Sequence, residues 1–221
     1  DPEGGGKAGA PAVHRLLGGG RVPVEDIVAV AVTSQWSGTV AVDAEGRHLY
    51  PAVIWMDSRG AEHIKAVTTG KVNVAGYDPR RLQHWISRTG GIPSHSGKDP
   101  VAHILWLRHE RPDVYRAAHA FLEPCDYLNA RLTGRQVASF DSIVAHWLTD
   151  NRDLSAVRYD PQLLDWCGLT ERQLPPLVRS LPWIVFVPGV SQSTPLLDDR
   201  LEAFEGLVHQ ILDHASLLAG D

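Results

Sequence analysis

The sequence predicts an α/β fold, in which buried strands are combined with helices. Residues 27–33 (IVAVAVT) form a continuous apolar, β-branched run, which is the pattern of a buried strand. Several later segments start with Ser or Asp, often followed by proline, and continue with apolar residues at helical spacing. With 43% hydrophobic residues among 221, the chain can bury a sizeable core as one large domain or two small ones.

The elements are predicted in order along the chain. Residues 38–42 and 47–54 predict an antiparallel meander, because the turn residues 43–46 (DAEG) separate two strand-like segments. Ser58, Asp78 and Asp99 are the predicted caps of the first three helices. Helices are predicted at 58–67, 79–88, 101–110, 124–132, 161–167 and 201–218, and further strands at 118–122 and 183–187.

Composition excludes several classes of function. The formal net charge of −5 argues against a nucleic acid or an anionic membrane as the main partner, because both require a basic surface. The two cysteines, Cys125 and Cys167, have no CxxC context, so we expect no disulfide framework, no zinc site and a cytoplasmic setting. We predict no metal site, since His209 and Asp213 at i, i+4 are better explained as a solvated helix face.

Two short segments predict a binding site. Residues 33–38 (TSQWSG) place polar and aromatic side chains after the buried strand, where open α/β sheets form ligand crevices. Residues 55–59 (WMDSR) follow the second strand pair and add a tryptophan, a carboxylate and a guanidinium. Sugars stack on aromatic rings and present hydroxyls to charged partners. Composition leaves an alternative equally open, namely that Trp55 is a core residue and Asp57 pairs with Arg59 at a helix start.

Four segments together resemble the FGGY family of carbohydrate kinases. Residues 30–60 resemble the family pattern in which a strand ends in S/G-Q and is followed by a hairpin and W-x-D-x-R. Residues 121–135 (FLEPCDYLNARLTGR) are similar to its D-Y-L-x-x-x-L-T-G stretch. The segments WLTDNRDL and YDPQLLDWCGLTERQLPPL match its continuation. The resemblance covers residues 24–180, and xylulokinase-like members are the most similar.

The resemblance implies the first lobe of an actin-like ATPase, a ribonuclease H-like architecture with a mixed sheet flanked by helices. It divides the chain into a flexible or partial segment at 1–23, a sugar-binding N-terminal domain at 24–180, and a short segment at 181–221 that is a possible remnant of the second lobe. It also implies ATP and Mg²⁺, a small sugar or polyol as substrate, and allows a homodimer.

The resemblance further implies a set of substrate-binding residues. Trp36 and Ser37 match positions that contact the sugar in the family, and Trp55 matches a substrate-facing tryptophan. The predicted substrate-binding residues are Gln35, Trp36, Ser37, Trp55, Asp57 and Arg59. Ser37 stands where xylulokinases often have histidine, so the resemblance does not identify D-xylulose as the sugar. Residues 94–98 match a further contact region of glycerol kinases more loosely.

Two motifs of the family are missing from the sequence. No D-x-G-T, the family's ATP-phosphate hairpin, occurs in the chain, and the glycine-rich stretch with the catalytic aspartate does not follow residue 180. We therefore predict an ATP-dependent carbohydrate kinase by family, with no catalytic residue in this chain. The alternative is a catalytically inactive sugar-binding fragment. We also expect strand 27–33 to lack a sheet neighbour and the apolar surface of residues 183–187 to lack a partner, which would leave the isolated chain marginally folded, prone to association and without ATP-dependent sugar phosphorylation.

Overall fold

A computed structural model describes residues 32–179 of the chain, together with Pro2, Arg15, Ala29–Val30 and Val185–Phe186. Within these residues, four consecutive helices separate the second and third strands, and the later helices and short strands are interspersed. The helices are Ala61–Thr68 (α1), Pro79–Thr89 (α2), Pro100–Glu110 (α3), Pro112–Ala117 (α4), Pro124–Thr133 (α5), Phe140–Ile143 (α6) and Pro161–Cys167 (α7), with 3₁₀ turns at Val144–His146 and Glu171–Gln173. The strands are Ala29–Val30 (β1), Val40–Val42 (β2), Ala120–Leu122 (β3), Ala138–Ser139 (β4), Thr149–Asp150 (β5), Arg158–Tyr159 (β6), Leu177–Val178 (β7) and Val185–Phe186 (β8). The predicted helix at 201–218 lies outside the described residues.

The strands pair two by two in both orientations. Strands β2 and β3 are antiparallel, with Val40 opposite Leu122, and β5 and β6 are also antiparallel. Strands β4 and β7 are parallel. The predicted meander is only partly present, because residues 47–54 make the isolated bridges Val42–His48 and Thr39–Val53 instead of a continuous strand. Strand β2 takes its main-chain partner from β3, far along the sequence.

Strand β1 corrects one expectation from the sequence. Residues 27–33 were expected to lack a sheet neighbour, but Ala29–Val30 pairs antiparallel with Val185–Phe186. Such pairing satisfies the backbone donors and acceptors that a strand edge would otherwise expose. The expectation was wrong for these residues because it considered only partners missing from the sequence and overlooked a partner within the chain.

The chain divides into two compact units. One comprises residues 1–33, 128–135 and 182–221, and the other comprises residues 34–127 and 136–181. The second unit contains all six predicted substrate-binding residues. The domain boundaries predicted from the resemblance, at 24 and 180, stay a prediction.

Of the three predicted side-chain caps, only that of α2 is present. The Asp78 carboxylate accepts the backbone N–H groups of Arg80 and Arg81 at 3.0 and 3.1 Å, as predicted for an N-cap. Helix α3 also begins at a proline after aspartate, but the Asp99 side chain makes no capping bond there. Helix α1 begins at Ala61, and its N-cap position makes no side-chain capping bond, so Ser58 is not its cap.

Helix α3 lies at the centre of the second unit. Every residue from Pro100 to Leu107 is buried, and the helix packs against α1 and α4. The apolar residues Val101, Ile104, Leu105 and Leu107 are buried, and so are the residues between them, whereas the last turn from Arg108 is partly exposed. Fully buried Trp85, Ile104 and Phe121 belong to the same core cluster. Burying each such side chain contributes about 1.5–3 kcal/mol to the stability of the unit.

No helix in the described part of the chain is long and apolar enough to cross a membrane.

Candidate functional site

The first candidate segment, residues 35–37, leads into strand β2. Trp36 is 59% exposed although it is a large aromatic residue. Ser37 adopts φ 61°, the left-handed conformation that non-glycine residues rarely take. Its hydroxyl donates to the Lys98 carbonyl at 3.1 Å. Gly38 is required next, because a Cβ there would lie 2.7 Å from Pro124 Cγ. The chain is thus held tightly on one side while Trp36 faces solvent.

The second candidate segment, residues 55–59, lies at the same end of a strand pair as the first. Thr39 and Val53 exchange backbone hydrogen bonds of 2.8 and 2.9 Å in an antiparallel bridge. In an antiparallel pair, the residues that precede one partner and those that follow the other leave at the same end. Trp55 is 49% exposed there, which contradicts the alternative of a core tryptophan.

Asp57 and Arg59 form the ion pair that the other half of the alternative predicted. Arg59 Nη2 lies 2.6 Å from Asp57 Oδ2, and Arg59 Nε donates to both carboxylate oxygens at 3.0 and 2.9 Å. The Arg59 guanidinium also stacks 3.8 Å from the centre of the Trp106 ring. Hydrogen bonding from the Arg59 side chain lowers the pKa of Asp57. The carboxylate is therefore charged and fixed at neutral pH.

The buried His103 side chain contacts Thr39, just after the first segment, and Asp57 in the second segment. Its Nδ1 lies 3.2 Å from Thr39 Oγ1, and its Nε2 lies 3.3 Å from the Asp57 carbonyl oxygen. Burial lowers the pKa of His103 to about 4, so the ring is neutral at pH 7. Because a carbonyl can only accept, we assign the proton to Nε2, and Nδ1 then accepts from the Thr39 hydroxyl.

A third segment, residues 94–98, completes the rim. Its Lys98 carbonyl is the acceptor for the Ser37 hydroxyl. Gly97 has φ 74°, and a Cβ at this position would collide with the backbone of Gly60 and Ala61, directly after Arg59. This segment, which the sequence matched only loosely to a contact region, therefore contacts Ser37 and also Gly60 and Ala61, which directly follow the segment at 55–59.

A cavity of about 520 Å³ opens beside Trp36. Its other walls come from the end of α2 and from residues 144–154, and they include Thr89, Trp147, Asn151 and Arg152. Of the six predicted site residues, only Trp36 lines it. The sequence analysis did not predict these other lining residues as part of the site, although Trp147, Asn151 and Arg152 lie in the segment WLTDNRDL that resembles the family. The predicted convergence of Gln35, Trp36, Trp55 and Asp57 on one crevice stays a prediction.

Buried ionisable groups below the rim were also missed. Desolvation raises the pKa of Glu123 to about 8 and that of Asp126 to about 7. The Ser142 hydroxyl donates to Asp126 Oδ2 at 2.7 Å. Both carboxyl groups lie in the segment that resembles the family's D-Y-L stretch, but that pattern carries no sign of their burial. Among the residues that the structure describes, no group of three or more His, Cys, Asp or Glu could hold a metal ion.

The geometry defines an α/β unit with a rim of aromatic and polar loops, and comparison with known proteins identifies its family. Residues 10–185 match the N-terminal domain of the FGGY family of carbohydrate kinases, and the chain belongs to this family. A xylulose kinase from Streptomyces coelicolor is 31% identical over 162 residues, which cover 70% of this chain and 29% of that protein. The family prediction is confirmed.

Solved structures show the same fold. A xyloylose kinase from Brucella ovis matches 80% of this chain and 34% of its own, with a TM-score of 0.66 and 24% identity. A ligand-bound xylulose kinase from Lactobacillus acidophilus matches 80% of this chain and 33% of its own, with a TM-score of 0.64 and 20% identity. The predicted actin-like ATPase fold is thereby confirmed. The chain spans about a third of the length of these relatives.

Proposed function

We propose that this chain provides the acceptor-binding lobe of an ATP-dependent kinase that phosphorylates a hydroxyl of a xylulose-like sugar or polyol. The observation that supports the proposal most is the common rim of residues 35–37, 55–59 and 94–98. These segments carry two exposed tryptophans and the charged Asp57 carboxylate, while Ser37 bonds Lys98 and Gly97 contacts Gly60. Relatives named as xylulose kinases support the class of substrate.

Each group in the rim has a role that suits a sugar. The exposed faces of Trp36 and Trp55 offer stacking surfaces for the apolar C–H faces of a sugar ring or chain. Arg59 orients the Asp57 carboxylate. The carboxylate oxygens retain lone pairs that can accept hydrogen bonds from sugar hydroxyls. Because Asp57 is already fixed and charged, little ordering is required of it when the sugar binds.

The phosphoryl-transfer step requires groups that the described residues do not provide. The family implies ATP as the phosphate donor, and we propose that Mg²⁺ accompanies it. No metal-binding cluster occurs in residues 32–179, and the sequence contains no D-x-G-T. We propose that this chain contributes acceptor binding and orientation, and the family's catalytic aspartate has no match in the sequence. A cytoplasmic location and a homodimer stay predictions.

The test combines a binding assay with an activity assay. Pentuloses and polyols are titrated into the protein while tryptophan fluorescence is recorded, and ADP release is then measured with ATP and Mg²⁺. We expect Trp36→Ala and Trp55→Ala each to weaken binding about tenfold, which corresponds to about 1.4 kcal/mol. Val72→Ala, at an even more exposed apolar position outside the rim, serves as the control and should leave binding unchanged.

The outcomes distinguish the two candidate functions. Sugar binding with sugar-stimulated ADP release supports a kinase. Sugar binding without ADP release supports the alternative, a catalytically inactive sugar-binding fragment. Absence of binding to every sugar tested would show that the rim is not an acceptor site.

A further inference from the structure

A buried carboxyl group lies directly behind the exposed segment at 35–37. Glu123 is 1% exposed, and its Oε2 accepts the backbone N–H of Gly38 at 3.0 Å. Burial raises the pKa of this carboxyl, whereas hydrogen bonds from the backbone N–H groups of Gly38 and Ser37 act in the opposite direction. Glu123 lies between β3 and α5, and its side chain reaches Gly38, which is 85 residues away in sequence.

The other side of the Glu123 carboxyl faces a buried histidine. Its Oε1 lies 3.8 Å from Nε2 of His146, which is fully buried, and burial lowers the pKa of this histidine to about 3. Among the described atoms, neither ring nitrogen of His146 nor Oε1 of Glu123 has a hydrogen-bond partner. The hydrogen bonds of this carboxyl within the described chain therefore go to the loop backbone.

The loop conformation requires such anchors. Ser37 is a non-glycine residue at φ 61°, and such a residue keeps the left-handed conformation only when its surroundings fix it. Two anchors are visible. The Ser37 hydroxyl is bound to the Lys98 carbonyl, and the next backbone N–H is bound to Glu123. Together they determine the direction in which the preceding residue, Trp36, leaves the strand.

We propose that Glu123 is a positioning residue of the acceptor site, which fixes the backbone of Ser37 and Gly38 and thereby orients Trp36 toward the substrate. The identity of the substrate in this inference rests on the proposed function. The orientation of the loop by Glu123 does not depend on it. Glu123 does not touch the substrate and acts through the loop alone.

Two substitutions separate the hydrogen bond from the packing. Glu123→Gln keeps a side-chain oxygen that accepts from Gly38 and places an amide donor toward His146. Glu123→Leu keeps a similar volume without an acceptor, and Glu123→Met serves as a second acceptor-free variant if the leucine variant does not fold. Asp126→Leu is the matched control, since this neighbouring buried carboxyl bonds Ser142 and not the loop.

Amide hydrogen exchange and the Trp36 indole resonance report on the loop directly. In Glu123→Leu, we expect the Gly38 amide to exchange at least about tenfold faster relative to the amides of β2, and the Trp36 indole N–H signal to shift. Glu123→Gln and Asp126→Leu should leave both signals near their wild-type values. If Glu123 only stabilised the fold, its replacement would raise the exchange rates of the Gly38 and β2 amides together. The ratio of the Gly38 rate to the β2 rates therefore distinguishes a positioning role from a general structural role.

Sugar titrations then test the link to the substrate. We expect the dissociation constant of Glu123→Leu to rise about tenfold and that of Glu123→Gln to stay within about threefold of wild type. Unchanged Gly38 exchange and an unchanged Trp36 signal in Glu123→Leu would overturn the inference, and so would altered signals with an unchanged sugar affinity. If wild type binds no sugar while the loop signals respond as expected, the proposed function fails and the orientation of the loop by Glu123 stands.

Discussion

Replacing Gly97 by alanine tests whether the third rim segment is held as tightly as the structure indicates. Gly97 has φ 74°, and its ideal Cβ would overlap the backbone of Gly60 and Ala61. The left-handed conformation costs a residue with a Cβ about 1–2 kcal/mol, and forcing atoms into a packed site costs about 1–3 kcal/mol more. We therefore expect Gly97→Ala to lower the free energy of unfolding by about 2–5 kcal/mol.

Gly134 offers a matched control for this substitution. It has φ 69°, close to the value at Gly97, but nothing lies within 4 Å of its ideal Cβ. Gly134→Ala should therefore lose only the conformational part, about 1–2 kcal/mol. Urea denaturation at constant pH measures both variants, and thermal melts should shift by about 2–4 °C for each kcal/mol. Equal losses in the two variants would refute the close contact between Gly97 and the start of α1.

Three further predictions concern the rim and the core beneath it. Arg59→Lys should lose at most about 1 kcal/mol of stability, because the pair with Asp57 is partly exposed, but should weaken sugar binding; an unchanged sugar affinity would contradict it. The buried Asp126 carboxyl has a folded pKa of about 7, above its unfolded value of 3.8, so the stability from its proton is complete below about pH 4 and is lost as the pH rises through 7. Asp126→Asn should therefore gain stability relative to wild type between pH 5 and pH 8, and a constant difference in urea denaturation would count against this. Trp85→Phe removes the indole N–H that donates to the Trp147 carbonyl at 2.8 Å and should cost about 1–3 kcal/mol, whereas a wild-type urea midpoint would show that the bond contributes little.

The limits of prediction from sequence are clearest at two helix starts with the same dipeptide. Asp78-Pro79 and Asp99-Pro100 predict the same cap, and both helices begin at the proline. Asp78 caps its helix, but Asp99 accepts instead from the Ser94 backbone N–H at 2.7 Å and the Trp147 indole at 3.0 Å. The start of the helix is a local property and was predictable. The partner of the side chain depends on distant segments and was not.

In the candidate site, too, some residues could be predicted from the sequence and others could not. Trp36, Trp55, Asp57 and Arg59 were predicted because polar and aromatic residues follow strand-like runs there and because these positions match the site of the family that the sequence resembles. The groups behind them were missed, although they fix the rim. His103 lies in a helix that is buried on every side from Pro100 to Leu107, so its sequence shows no polar face that would single out the histidine.

Buried polar groups lie beneath this rim because loops without regular pairing leave backbone groups that must be satisfied. Gly38 and Asp57 lie just beyond the Thr39–Val53 bridge. The Gly38 N–H donates to the Glu123 carboxyl group, and the Asp57 carbonyl accepts from the His103 ring. Each of these side chains is kept neutral by burial at pH 7, because the pKa of Glu123 is raised to about 8 and that of His103 is lowered to about 4. A neutral acid and a neutral imidazole avoid the large desolvation cost of a buried charge while still offering one donor or acceptor each. Hydrogen bonds with Glu123 and His103 can therefore fix the conformation of the exposed rim. Its aromatic faces and the Asp57 carboxylate stay accessible to a ligand.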